Sequence, residues 1–198
     1  MSALAQLSKH LRPGRVYRRK DLAQWSTAVD RHVRQLVDAG RLEKVSGGLY
    51  MAPRETRFGK APASDAELVA GFLGDDRFLL VSPNAYNGLG VGTTQLYNVP
   101  VVYNHKRHGR LQLDGRTFEF RRRMSFPKTV SEEFLLVDLL HNLASLAEDA
   151  EAVRQRALRR AETMDRAKLE RVVREYDSAR VRRLLEPLFA DDAVSLAA

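Results

Sequence analysis

The sequence has 198 residues, of which 44% are hydrophobic and 29% charged, and its formal net charge is +8. This composition excludes a disordered chain and suffices for one large or two small domains with apolar cores. Because there is no cysteine, disulfides, thiolate metal sites and cysteine nucleophiles are excluded. No segment has the pattern of a membrane span or a signal peptide, so we expect a cytoplasmic protein with no membrane partner.

The N-terminal segment predicts three helices. The first covers Ser2–Leu11, and the second is a short helix over Lys20–Trp25 that is broken at Ser26. The third is predicted over Thr27–Ala39, with Ser26 or Thr27 as its cap and Gly40 as its end. Helical spacing gives this third helix a buried face of Val29, Val33, Leu36 and Val37.

A β-hairpin is predicted directly after the third helix. Arg41–Val45 and Leu49–Ala52 alternate apolar and polar residues around Ser46-Gly47-Gly48. A helix, a tight turn, a second helix and a glycine-tipped hairpin in this order are typical of a winged helix-turn-helix. The sequence therefore predicts a winged-helix DNA-binding domain over residues 1–54, with the hairpin as its wing.

The side chains outside the buried face suit double-stranded DNA. Arginine can bind guanine edges or phosphates, glutamine can pair with adenine, and small methyl groups can contact thymine. The candidate groove-facing residues are Ser26, Thr27, Ala28, Asp30, Arg31, Arg34 and Gln35. The candidate backbone-binding residues are Arg18, Arg19, Lys20, Lys44 and Ser46.

The charge distribution agrees with a DNA-binding N-terminus. Residues 1–54 carry eleven Lys and Arg against four Asp and Glu, a net charge of +7. Residues 55–123 carry +3 and residues 124–198 carry −2. Phosphate contacts dominate the affinity of proteins for DNA, so the basic segment is where such contacts are expected.

The remaining chain predicts a second, α+β domain over residues 65–198. Residues 53–64 have two prolines and no apolar period, which is typical of a linker. The mixed part, 65–127, is predicted to contain helix Asp65–Leu73, strand Arg77–Val81, helix Ser82–Leu89, strand Leu96–Asn104 and a hairpin of Arg110–Leu113 with Thr117–Arg122. The helical part, 128–198, is predicted to contain Ser131–Leu146, Ala150–Thr163, Asp165–Glu175 and Ser178–Phe189. The fold class is therefore α+β, a winged helix followed by a small α/β module and a helical region.

Few residues suggest catalysis. His105 and His108 lie three apart but have no neighbouring carboxylate, so a solvated basic loop is the better interpretation of residues 104–108. Asp138 and His141 are interpreted as a polar pair within one helix. The glycines at 88, 90 and 92 lack the lysine and the strand–helix context of phosphate-binding loops. We predict no catalytic residue, no metal and no cofactor.

Two stretches resemble a known family. The winged-helix part WSTAVDRHVRQLVDAGRLEKVSGGLYMAP and the segment FLLVSPNAYNGLGVGTTQ, followed by RLQLDGRTFEFRRR and SEEFLLVDLLHNL, resemble the AbiEi family of antitoxins. These proteins are the regulators of the type IV (AbiE) toxin–antitoxin systems of bacterial abortive infection. The resemblance implies a repressor that binds inverted repeats in its own promoter. It also implies an antitoxin that counters a nucleotidyltransferase-like toxin, typically without a stable complex between the two.

Two other hypotheses stay open from the residues alone. In one, the winged helix is a protein-interaction module of a scaffold without sequence-specific DNA binding. In the other, the chain is a nucleic-acid-processing enzyme that uses His105, His108 and Asp138. Salt-sensitive binding to DNA separates the repressor from the scaffold.

Overall fold

The computed structural model describes residues 2–92, 99–145, 149–176 and 179–190. Its elements in chain order are α1 (Ala3–His10), β1 (Val16–Arg18), α2 (Arg19–Leu22), α3 (Val29–Asp38), β2 (Glu43–Ser46), β3 (Leu49–Met51), β4 (Arg54–Thr56), β5 (Gly59–Ala61), α4 (Asp65–Leu73), β6 (Phe78–Val81), β7 (Val101–Asn104), β8 (Gly109–Leu113), β9 (Arg116–Arg122), α5 (Glu132–Asn142), α6 (Ala150–Glu162), α7 (Arg166–Tyr176) and α8 (Ala179–Ala190). Short 3₁₀ helices cover Ala23–Trp25, Pro83–Leu89 and Leu143–Ser145. The fold is thus mixed α and β.

The chain forms two compact units, each made of two stretches of sequence. Unit 1 comprises Met1–Phe78 and Lys106–Phe120, and unit 2 comprises Leu79–His105 and Arg121–Ala198. The predicted domains, residues 1–54 and 65–198, stay a prediction.

Unit 1 begins with three helices and a three-stranded sheet, termed here the N-terminal module (residues 2–52). The strands are antiparallel in the order β1-β3-β2, so the first strand pairs with the far arm of the later hairpin. The three helices and this sheet enclose an apolar cluster in which Leu7, Leu22 and Leu42 have no exposed surface. Burial of this leucine cluster is what holds α1, the short α2 and α3 together.

Helix α3 begins later than the sequence predicts. Its first residue is Val29 rather than Thr27, because Ala28 has a non-helical backbone with φ −114° and ψ 47°. No side chain caps the helix at Ala28, so the predicted cap by Ser26 or Thr27 is wrong. The helix ends at Asp38, and Gly40 follows with φ +66°, a conformation that suits glycine.

The predicted linker after the N-terminal module is in fact a hairpin. Strands β4 and β5 pair from Arg54 with Ala61 to Thr56 with Gly59. The Thr56 hydroxyl accepts a hydrogen bond from the Phe58 amide at 3.2 Å and donates to the Gly59 carbonyl at 2.6 Å. These turn contacts define the hairpin, and the three-residue strands have no apolar alternation from which it could be predicted.

The rest of unit 1 contains α4, β8 and the larger part of β9. Helix α4 has the predicted bounds, and a capping box of Ser64 and Glu67 fixes its start. The hairpin of β8 and β9 turns at Asp114-Gly115, where both residues have positive φ, as a tight two-residue turn requires. Arg116 ties this turn to the start of α4 through Asp65, at 2.7 Å.

Unit 2 has a large apolar core around α5. Every residue of Phe134–Leu140 is buried, including Asp138, and α6, α7 and α8 contribute further buried residues. Some predicted elements differ: residues 83–89 form a 3₁₀ helix, and strand β7 begins at Val101. The helix predicted over Ser131–Leu146 is α5 only to Asn142, and a 3₁₀ helix follows over Leu143–Ser145. Pro100 has no amide hydrogen to donate to a neighbouring strand, which accounts for the later start. The predicted strand residues 96–98 lie outside the described residues.

Candidate nucleic-acid interface

Helix α3 presents two chemically different faces. Val29, Val33 and Leu36 are buried as predicted, and His32 joins them, whereas Val37 is only half-buried. The opposite face is exposed and consists of Asp30, Arg31, Arg34 and Gln35. Thr27, just before the helix, is exposed as well, and Ala28 is half-buried. The outer face therefore offers two guanidinium groups, an amide and a hydroxyl to a partner.

Ser26 and His32 fix the turn that leads into α3. Ser26 is buried, and its hydroxyl lies 2.6 Å from Nδ1 of His32 while accepting a hydrogen bond from the Ala28 amide. The predicted site residue Ser26 thus has its hydroxyl engaged inside the protein. His32 was missed from the sequence, since a histidine among helix-surface residues gives no sign of a buried partner six residues earlier.

Arg19 and Asp30, both predicted to contact DNA, contact each other. Nε and Nη2 of Arg19 donate to the two carboxylate oxygens of Asp30 at 2.6 and 2.5 Å. These hydrogen bonds from Arg19 lower the pKa of Asp30. Both side chains are exposed, at 51% and 72%, so this ion pair joins α2 to α3 on the solvent side. A pair in this position is open to exchange with a phosphate.

Arg18 is held inside unit 1. Its guanidinium donates to both carboxylate oxygens of Asp21, at 2.8 and 2.7 Å, and to the Leu73 carbonyl at 3.4 Å. The Asp21 hydrogen bond raises the pKa of Arg18. Gly74 leaves room for this guanidinium, since a Cβ there would overlap it. Arg18 therefore joins Asp21 to the end of α4, and a phosphate would have to compete with Asp21 for it.

The remaining candidates for binding the DNA backbone are Lys20, Lys44 and Ser46. Lys20 in α2 and Lys44 in β2 are exposed, and Ser46 is half-buried beside a register shift between Lys44 and Ser46. The Gly48 carbonyl at the hairpin tip accepts a hydrogen bond from the Arg19 amide at 2.8 Å, which fixes the tip to the start of α2. The structure thus brings α2, α3 and the hairpin into one module, with exposed cations on each.

The residues of the enzyme hypothesis are in different environments. His105 and His108 are exposed, and His105 stacks on Phe126 with Nδ1 at 3.0 Å from the Arg123 carbonyl. Asp138 is only 1% exposed. Within the described parts of the chain, no three His, Asp or Glu residues are grouped as a metal site. The residues 105–108 are exposed as the basic-loop interpretation expects, whereas Asn104 is buried.

Asp138 is bound by two tyrosines. The Tyr86 hydroxyl donates to Oδ2 at 2.7 Å and the Tyr103 hydroxyl to Oδ1 at 2.5 Å, and Nη2 of Arg123 lies 3.5 Å from Oδ1. Burial, together with the nearby carboxylate charge, raises the pKa of both tyrosines well above the ordinary range. The tyrosines therefore stay neutral donors, and both oxygens of Asp138 are used within unit 2.

No family model, no curated protein and no solved structure matches the chain. Among the residues described, each helix is too short or too polar to cross a bilayer.

Proposed function

We propose that the chain is a DNA-binding repressor of its own operon that also acts as an antitoxin. The N-terminal module is interpreted as a winged helix-turn-helix: α2 and α3 are the helix pair, and the hairpin of β2 and β3 is the wing. The observation that carries this proposal is the exposed face of α3, which presents Arg31, Arg34 and Gln35. The inner face of the helix is apolar except for His32. The order α1, β1, α2, α3, β2, β3 supports the same interpretation.

In this proposal the two arginines of α3 read base edges in the major groove. Arg31 and Arg34 are three residues apart, so they lie on neighbouring turns of the same face. Thr27 and Gln35 flank them, while Lys20 and Lys44 bind phosphates on either side. Arg19 is released from Asp30 when a phosphate takes its guanidinium.

The antitoxin part of the proposal rests on the resemblance of residues 78–95 and the following segments to AbiEi proteins. Unit 2 carries no net positive charge in its helical part to suggest DNA as its partner, since residues 124–198 hold twelve Lys and Arg against fourteen Asp and Glu. A nucleotidyltransferase-like toxin encoded beside this chain is the functional counterpart that the resemblance implies.

The decisive experiment is a gel shift with the duplex upstream of the chain's own gene. Replacing Arg31→Ala and Arg34→Ala together removes two base contacts, so we expect binding to weaken by about 1–3 kcal/mol per lost contact. The matched control, Arg159→Ala with Arg182→Ala, removes the same charge from exposed positions in α6 and α8 and should bind like the unmodified protein.

Two outcomes of this gel shift contradict the proposal. If the α3 variant and the control bind the upstream duplex with equal affinity, α3 does not read bases. Absence of DNA binding at low salt, together with binding to a partner protein, favours the scaffold instead. In the repressor, the logarithm of the binding constant should fall steeply with the logarithm of salt, by about 0.9 for each phosphate contact.

A further inference from the structure

The hairpin of β4 and β5 is exposed over nearly its whole length, and only Ala61, at the end of β5, is half-buried. Every residue of 54–60 is exposed, and Phe58 at the tip is 86% exposed. A two-stranded hairpin without an apolar face is marginal on its own. Intramolecular packing therefore gives no reason for a large aromatic side chain at this tip, whereas a binding partner does.

The hairpin is basic around its aromatic tip. Residues 54–60 carry Arg54, Arg57 and Lys60 against Glu55, a net charge of +2. The Arg57 guanidinium lies over the Phe58 ring, 4.7 Å from its centre. Within the described part of the chain, neither Arg54 nor Arg57 has a carboxylate partner. The tip thus combines an uncompensated cation with an apolar ring.

Lys60 holds the hairpin to the region just after α3. Its ammonium group lies 2.9 Å from the Glu43 carboxylate and 3.5 Å from the Gly40 carbonyl. Because side chains alternate along a strand, and Glu55 is paired opposite Lys60, Arg54 and Thr56 lie on the other face. One face of the hairpin is therefore anchored, and the other presents Arg54 to solvent.

We propose that the β4–β5 hairpin is a second DNA-binding element, in which Arg54 and Arg57 bind phosphates and Phe58 enters the minor groove as an apolar wedge. This inference rests on the proposed function. Duplex DNA offers a partner for the arginines and a partner for the phenylalanine side by side. Phosphates flank the grooves, and base steps accept apolar side chains. Two copies of this chain that met hairpin to hairpin would bring like charges together, which disfavours that contact.

The test uses the full chain and the upstream duplex of the repressor experiment. Phe58→Ala should bind about tenfold more weakly, because the wedge contact is lost. Met124→Ala is the matched control, since Met124 is 95% exposed in unit 2, and it should leave the affinity unchanged. The double replacement Arg54→Ala and Arg57→Ala should make the slope of the logarithm of the binding constant against the logarithm of salt concentration shallower by about 2, roughly 1 for each phosphate contact.

The outcomes separate this inference from the proposed function. If Phe58→Ala binds within twofold of Met124→Ala while the α3 variant is weakened, the hairpin proposal is overturned and the repressor stands. If the unmodified protein does not bind the upstream duplex, both are overturned. Thermal unfolding of each variant is expected to match the unmodified protein, because the replaced side chains are exposed, so a loss of binding is not a loss of fold.

Discussion

At the scale of single residues, the structure separates polar side chains that are free for a partner from those already used. Arg18 is bound by Asp21 and Ser26 by His32, whereas Arg31 and Arg34 lie on an exposed helix face. Sequence spacing predicts which residues share a face, but it does not show which neighbour from another element neutralises them. The exposed half of the candidate site was therefore predictable, and its internal pairs were not.

Asp138 was predicted to form a polar pair with His141 within α5. In the structure Asp138 is buried and accepts hydrogen bonds from Tyr86 and Tyr103, which belong to two other segments. Replacing Asp138→Ala would leave two buried hydroxyls and the nearby Arg123 without their acceptor. We expect a loss of about 3–5 kcal/mol in the free energy of unfolding, the typical cost of removing one partner from a buried charged group. Urea unfolding followed by circular dichroism measures it.

The control for this prediction is Glu162→Ala in α6, where the side chain is exposed. Its effect should stay within about 0.5 kcal/mol, as for ordinary surface substitutions. A change no larger than this at Asp138 would mean that the two tyrosine hydrogen bonds contribute no net stability.

At the scale of elements, α4 packs against β1 at a glycine. A Cβ built on Gly71 lies 2.5 Å from Cγ1 of Val16 and 3.1 Å from its carbonyl oxygen. Alanine normally favours a helix over glycine by about 1 kcal/mol, so propensity alone predicts that Gly71→Ala stabilises the protein. The overlap with Val16 reverses this expectation, and we expect a loss of about 1–3 kcal/mol.

Thermal or urea unfolding of Gly71→Ala beside Gly47→Ala tests this packing. A methyl group added at Gly47 would meet no atom within 4 Å, so this substitution should cost much less. A more stable Gly71→Ala protein would show that β1 moves aside at little cost.

Elements set by local chemistry were predictable from the sequence. The turn at Asp114-Gly115 and the bounds of α4 follow from residues with strong turn and cap preferences. Hairpin β4–β5 was missed because its three-residue strands, exposed except at Ala61, have no apolar alternation. The start of α3 was placed two residues early because a buried hydrogen bond between Ser26 and His32 shapes the turn before it.

At the scale of the whole molecule, the two proposed activities are assigned to different parts of the chain. The proposed DNA contacts lie on α3 and its neighbours, and the buried network of Asp138 lies in unit 2. We therefore expect neutralisation of the toxin to be independent of DNA binding. Expressed from an unrelated promoter, the Arg31→Ala and Arg34→Ala variant should restore growth as well as the unmodified chain.

The measurement is growth of cells in which the nucleotidyltransferase-like toxin gene that the antitoxin proposal expects beside this chain is induced. Cells with an empty vector give the toxic baseline, and cells with the unmodified chain give full rescue. If the unmodified chain restores no growth, the antitoxin proposal is wrong. If only the α3 variant fails, Arg31 and Arg34 are needed for neutralisation, and the expected independence of the two activities is wrong.

The division of each unit into two stretches of sequence also sets an order for folding during synthesis. Unit 1 has all of its residues once Phe120 has been made, and residues 79–105 of unit 2 are made before that point. The hydrogen bonds of Tyr86 and Tyr103 cannot form until Asp138 has been made, 52 and 35 residues further along the chain. Because domains fold as units as the chain emerges, a translational pause once residue 120 has left the ribosome gives unit 1 time to form before α6, α7 and α8 emerge.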